Sequence, residues 1–273
     1  MPVRFINSRQ NSRLKDLRRA LTSPGRDGVA ALEGPHLLEE GLRAGVHVLC
    51  VFAVQGAEEI LTSLHLPLET EVLLLPKPLL DGVLSTETPQ PVAALVEQPE
   101  WSWSDLLGRE AMPLLLVLAG LQDPGNLGTI FRSAEAFGAA GMISLPGTVN
   151  PWNPKTVRSS AGSVLRVPFV AATERACFER LRKAGVKVYA TAVRNAQSVG
   201  DINLTGPTAV VIGNEGNGVP DAVAAQADGA VTIPCPGPVE SLNAAVAASV
   251  LLYEAARQRS SKPAAPPARW RTR

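Results

Sequence analysis

What most constrains this chain is a series of short apolar runs separated by helical stretches: VLCVFAV (48–54), VLLL (72–75), VAALVE (92–97), PLLLVLAG (113–120), VKVYATAV (186–193), TAVVIG (208–213) and AVTIP (230–234). Such runs read as buried strands, and strands that alternate with helices need crossovers that lay them side by side in a mostly parallel sheet with helices on both faces. The alternation breaks once, at QPEWSWSDLLGREAM (98–112). That break divides the chain into a smaller α/β domain over 1–97, a linker over 98–112 anchored by Trp101 and Trp103, and a larger α/β domain over 113–258. The remaining residues, 259–273, are rich in Pro, Ala and Arg and read as a disordered basic tail. With 273 residues, each domain can bury a core of its own.

The net charge of +1 conceals a segregation. Residues 1–26 hold seven Lys/Arg against Asp16 alone, residues 27–123 hold three basic and fifteen acidic side chains, and residues 124–273 hold sixteen basic and nine acidic. NSRLKDLRRAL (11–21) reads as a basic helix whose Leu14, Leu17 and Leu21 form a narrow apolar face. Basic ends on a chain of balanced charge suit either a solvated surface or a polyanion. No apolar run is long enough to span a membrane and the N-terminus lacks an apolar signal core, so a cytoplasmic protein is expected. Cys50, Cys177 and Cys235 lie far apart, without histidines nearby, and indicate neither disulfides nor a metal site.

Three Gly-rich segments each follow a strand: LAGLQDPGNLGTIFRSAEAFG (118–138), VVIGNEGNGVP (210–220) and IPCPGPVESLN (233–243). Ligands of parallel sheets collect at the carboxyl ends of the strands, so three such loops can converge on one site. GNEGNG matches neither a dinucleotide fingerprint nor a P-loop, and Glu215 would repel a pyrophosphate. A neutral or cationic ligand fits better, and S-adenosylmethionine, a sulfonium joined to an adenosine, is one. All three histidines (His36, His47, His65) lie in the smaller domain and no G-x-S-x-G elbow is present, which disfavours a serine hydrolase. The loops do offer Asn126, Arg132, Glu215, Ser241 and Asn243, side chains able to position a hydroxyl nucleophile and stabilise charge developing on it. Asn126 and Ser241 also suit the N-caps of helices over 126–137 and 241–258, with Asn243 on the surface of the second.

NLGTIFRSAEAFG, GNEGNGV and IPCPGPVESLNAAVA resemble, in order and spacing, the three motifs of the SpoU-type RNA ribose 2'-O-methyltransferases. NPKTVRSSAGSVLRVPF (153–169) is similar to the family's intervening segment. NSRLKDLRRA, LEGPHLLEEGLRAG and ETPQPVAALVE resemble the substrate-binding domain of ribosomal-protein-like α/β/α fold that many members carry. The resemblance implies a C-terminal trefoil knot forming an S-adenosylmethionine pocket, with Gly213, Ile233 and Leu242 contacting the cofactor through their backbone and Thr191 forming another wall. It further implies a homodimer with the knot at its interface. Arg132 matches the arginine to which catalysis is assigned; because a guanidinium stays protonated, its expected role is to stabilise the forming alkoxide and hold the adjacent phosphate. Asn126, Glu215, Ser241 and Asn243 complete the catalytic set, with Glu215 either tying down the Gly loop or ordering Arg132 and the RNA. Arg158 is expected on RNA phosphate or the substrate nucleotide, the alternative being a surface salt bridge, and Arg9, Arg13 and Lys15 of the N-terminal helix region are expected on RNA. Two positions depart from the family pattern, Cys235 for methionine and Ala245 for a small hydroxyl residue. The implied substrate is structured RNA, 23S ribosomal RNA before transfer RNA; the alternatives are the same chemistry on transfer RNA, or a non-catalytic RNA- or ribosome-binding protein of the same fold.

Overall fold

The computed structural model describes residues 2–239 and 241–260. Most of the expected basic tail, from residue 261 onward, lies outside them. The smaller domain holds a five-stranded sheet of β1 (Val3–Phe5), β2 (Val29–Glu33), β3 (Val48–Val54), β4 (Glu71–Leu75) and β5 (Val92–Glu97). Their order is β1-β4-β3-β5-β2, with β5 antiparallel to both neighbours and the other pairs parallel. The connecting helices are α1 (Ser12–Thr22), α2 (Pro35–Arg43), α3 (Glu58–Ser63) and α4 (Lys77–Asp81). Helix α1 begins where the Asn11 side chain accepts a hydrogen bond from the Leu14 N–H, and it buries Leu14, Leu17 and Leu21, the stripe that the sequence spacing requires. That stripe packs on one face of the sheet while Leu37 and Leu38 of α2 pack on the other, so the domain is an α/β/α sandwich.

The connector is more ordered than its sequence suggests. It contains α5 (Trp103–Leu107), opened by a reciprocal capping pair of Ser102 and Asp105. Trp101 and Trp103 pack against the core of the larger domain, with the guanidinium groups of Arg109 and Arg180 over their rings at 5.6 and 5.1 Å.

The larger domain is a seven-stranded sheet, parallel throughout: β6 (Leu114–Ala119), β7 (Gly141–Ser144), β8 (Phe169–Ala171), β9 (Lys187–Thr191), β10 (Gln197–Ser198), β11 (Thr208–Gly213) and β12 (Gly229–Thr232), in the order β10-β12-β9-β11-β6-β7-β8. Its helices are α6 (Pro124–Ala136), α7 (Pro154–Ser159), α8 (Glu174–Lys183), α9 (Asp221–Ala224) and α10 (Ala244–Arg259). Every residue of β6 and β11 is buried, as expected of central strands covered on both faces; each buried leucine contributes about 1.5–3 kcal/mol. Strands β1, β8 and β10 are only two or three residues long and show no period, and β2, a short run of small apolar residues after a turn, is likewise absent from the runs read as strands. The expected strands over 186–193 and 230–234 end two residues early, where the chain turns into loops.

The domains share a continuous apolar core and are tied by polar contacts. Arg158 of α7 donates to Glu33 of β2 at 2.6 Å and to the Ser85 hydroxyl at 2.7 Å. Arg166 bridges Glu40 of α2 (2.7 Å) and Glu135 of α6. Asn150 donates its side-chain N–H to the Pro24 carbonyl, 3.2 Å away, in the loop that follows α1. Among the described residues no helix is long and apolar enough to cross a membrane.

Candidate active site

The site forms where β6, β9, β11 and β12 end and the three Gly-rich loops begin. The first loop turns directly into α6, and its cap is Asp123 rather than the expected Asn126: Asp123 Oδ1 accepts from the Asn126 N–H at 2.9 Å, and Pro124 takes the first helical position, where no N–H is needed. Hydrogen bonding from the Asn126 N–H and from Lys155, 3.1 Å away, holds the Asp123 carboxyl below its ordinary range. Relieved of capping, the Asn126 side chain points into the site, where Nδ2 donates to Glu215 at 3.0 Å.

The second loop is folded on itself by Asn214. Its Oδ1 accepts from the N–H groups of Gly216 and Asn217, and its Nδ2 donates to the Gly120 carbonyl of the first loop. Gly213 is required here because a Cβ would collide with the backbone of Gly218 and Val219. The fold of this loop delivers Glu215 to the start of α6, where its carboxylate accepts from the N–H groups of Gln122 (3.2 Å) and Asp123 (3.0 Å) as well as from Asn126. Desolvation opposes the charge on Glu215, yet these hydrogen bonds outweigh it and keep the carboxyl below its ordinary value. Of the two roles left open for Glu215, the contacts observed are those of a tie between the Gly loop and α6.

The third loop supplies Asn243, which is the N-cap of α10 and not a surface residue within it. Its Oδ1 accepts from Ala245 N (2.9 Å) and Val246 N (3.2 Å), so the helix starts at Ala244, two residues later than a Ser241 cap would allow. The Asn243 Nδ2 donates to Asn126 Oδ1 at 3.0 Å. The polarity of this chain is fixed at both ends, because a carboxylate only accepts and a helix N-terminus only donates. Three side chains from three loops are thereby locked in one orientation.

Beside this linkage opens a cavity of about 570 Å³ lined by all four expected cofactor positions, Thr191, Gly213, Ile233 and Leu242, together with Glu215 and Ser241. Thr191 is held by a hydrogen bond from its hydroxyl to the Val211 carbonyl. Cys235 lines the same cavity, its thiol 3.4 Å from the Ile233 carbonyl, while Ala245 is buried in the core behind it. Arg132 lies farther along α6, exposed and without a hydrogen bond or ion pair among the described residues, and it does not line the cavity. Helix α6 is fixed against α7 at Gly128, where a Cβ would strike Ser159 and the Thr156 carbonyl, and against α10 by a Ser133–Ser249 hydroxyl pair at 2.7 Å.

The expected RNA contacts are dispersed. Arg158 is engaged with Glu33 and Ser85 between the domains, and Arg13 pairs with Glu71 at 3.2 Å. Arg9 and Lys15 are exposed and make no ion pair among the described residues. Sequence reasoning missed Asn214, Asp123 and Lys155. The first two stand in motif loops beside residues it selected, and the third can be matched to Asp123 only in three dimensions.

Residues 113–253 match the SpoU rRNA Methylase family. The chain is 36% identical over 254 residues to the 23S rRNA (guanosine(2553)-2'-O)-methyltransferase RlmP of Bacillus subtilis, spanning 92% of this chain and 98% of that one. Among solved structures it resembles the AdoMet-bound rRNA methyltransferase of Sinorhizobium meliloti, with a TM-score of 0.82, 30% identity, and coverage of 95% of this chain and 99% of that chain. It is also similar to the SpoU methyltransferase AviRb of Streptomyces viridochromogenes in complex with AdoMet, with a TM-score of 0.79, 31% identity, and coverage of 92% and 98%. A family match over half the chain and a relative aligned over nearly its whole length agree with the loop geometry: this chain belongs to the SpoU rRNA methylase family.

Proposed function

We propose that this protein is a cytoplasmic enzyme that transfers the methyl group of S-adenosylmethionine to a ribose 2'-hydroxyl of 23S ribosomal RNA. The observation that carries this reading is the hydrogen-bonded chain Asn243–Asn126–Glu215, which joins three loops at the rim of the cavity. The cavity suits the cofactor in size and in chemistry: Val231, Leu242 and Leu251 offer apolar surface to an adenosine, strand-end backbone offers hydrogen bonds, and the ligand brings no phosphate for Glu215 to repel. The cofactor, when bound, supplies an electrophilic methyl group on a sulfonium.

The chain's own task is to present the oxygen in line and ease loss of its proton. Asn126 uses one Nδ2 hydrogen on Glu215 and has a second to hold the ribose. Arg132, about one and two-thirds turns on along α6, stays protonated, stabilises the negative charge growing on the 2'-oxygen and holds the neighbouring phosphate, while the hydroxyl proton leaves to water. Asn243 ties the start of α10 to Asn126, and Ser241 lines the cavity beside it. The 1–97 domain grips RNA through Arg9, in the turn before α1, and Lys15 and Arg18 of α1, and Arg158 orients that domain on the catalytic one. The non-sequential order β10-β12-β9-β11-β6 supports a C-terminal knot. The exposed apolar Val246 and Tyr253 on α10, next to α6, support a homodimer packed through this region.

The RNA assignment rests on relatives named for ribosomal RNA, and incubation with methyl-labelled cofactor tests it. Label is expected in large-subunit ribosomal RNA. Incorporation into transfer RNA alone would refute the substrate, and no incorporation into either would refute the enzyme.

A further inference from the structure

Two formally charged side chains face the cavity among its described lining residues, Glu215 and Arg194. Glu215 is committed: two backbone N–H groups and the Asn126 amide already satisfy its oxygens. Arg194 is uncommitted. It sits in the loop that follows β9, immediately before Asn195, whose φ of 53° turns the chain sharply, and it makes no ion pair or hydrogen bond among the described residues. The other nearby cations are accounted for, since Lys155 is paired with Asp123 and Arg132 does not line the cavity. Resting on the cofactor assignment above, we infer that Arg194 binds the α-carboxylate of S-adenosylmethionine.

The chemistry is one of matching. The cofactor carries a sulfonium, an ammonium and a single anionic group, its carboxylate. A guanidinium fork is the side chain best shaped to hold a carboxylate with two parallel N–H bonds. Placing the one free cation of the described lining against the one anion of the ligand also sets it apart from the sulfonium, which an arginine would repel. Because the carboxylate is present before and after methyl transfer, Arg194 binds S-adenosylmethionine and S-adenosylhomocysteine equally: it contributes ground-state affinity and leaves the chemical step alone.

The test is calorimetry on the full chain and on its Arg194→Met and Arg194→Lys variants, with S-adenosylmethionine and with its decarboxylated analogue, which keeps the adenosine and sulfonium. Arg194→Met is expected to weaken S-adenosylmethionine about tenfold, the scale of one charge-assisted contact at a site open to water, with part regained in Arg194→Lys. The decarboxylated analogue should bind the wild type and Arg194→Met alike. Unchanged S-adenosylmethionine affinity in Arg194→Met, including the case where only RNA binding weakens, would overturn the inference and give the residue to RNA phosphate. An equal loss for both ligands would overturn it too, leaving Arg194 a packing role in its loop. Wild-type protein that binds neither ligand would overturn the cofactor assignment itself, a result distinct from the other two.

Discussion

Arg132 and Asn126 share one helix yet are held very differently. Asn126 is fixed by two side chains, whereas Arg132 has no partner among the described residues and stands outside the cavity. Replacing Arg132 with alanine is therefore expected to abolish methyl transfer while leaving cofactor affinity within about twofold, a split that calorimetry and a label-transfer assay on one preparation would resolve. Glu215→Gln behaves otherwise, because an amide puts a donor where three N–H donors converge; a large loss of cofactor affinity is expected. The pH dependence has a definite sign. A carboxyl held below its ordinary value of 4.5 contributes its full stabilisation above that value and loses it as pH falls through the depressed one, so the stability that Glu215 lends to the fold should stay level from neutral pH to about 4.5 and drop only below it. Thermal unfolding of the wild type and of Glu215→Gln across this range checks it: a stability difference between them that is lost near neutrality would contradict this account of Glu215.

At the level of elements, the sequence displayed the three loops and their order, because the glycines and the Asn/Glu residues that bend them are local in the chain. Helix starts were less legible. Both Asp123 and Asn126, and both Ser241 and Asn243, are acceptable caps by residue type; which one serves depends on the loop contacts that draw Asn126 toward Glu215 and Asn243 toward Asn126. The interdomain role of Arg158 was equally hidden, since Glu33 lies 125 positions away. Helix α1 is legible as an element, but the charges on it and in the turn before it are not equivalent: Arg13 is drawn to Glu71 and Arg19 lies near Asp16 and Asp27, whereas Arg9 of the turn and Lys15 and Arg18 of the helix are exposed without ion pairs among the described residues. Neutralising Arg9, Lys15 and Arg18 together should flatten the dependence of log affinity for RNA on log salt by about 2–3, at roughly 0.7–0.9 for each phosphate no longer neutralised. An unchanged slope would make α1 solvated surface.

The molecule as a whole joins a domain proposed to recognise RNA to one built to hold a cofactor. The Arg158–Glu33 bond lies at that joint, with the Glu33 side chain 2% exposed. Arg158→Met removes the cation from a buried carboxylate that keeps the hydrogen bonds donated by the Ser85 N–H and hydroxyl, and should cost about 2–3 kcal/mol, under the roughly 3–5 kcal/mol of a fully buried pair because those bonds remain and Arg158 is itself partly exposed; thermal unfolding of the variant and of the Glu33→Gln, Arg158→Met double variant, which should recover part of the loss, would check it. The central claim is about the atom that receives the methyl group. The 2'-hydroxyl is the internal nucleophile when alkali cleaves RNA, so a methyl group there protects the phosphodiester on its 3' side. The most direct measurement is a partial alkaline ladder of 23S ribosomal RNA incubated with the protein and S-adenosylmethionine. The account predicts a single gap in the ladder, absent with Arg132→Ala. Methyl label incorporated into the RNA with an unbroken ladder would place the methyl group on a base and contradict the ribose assignment.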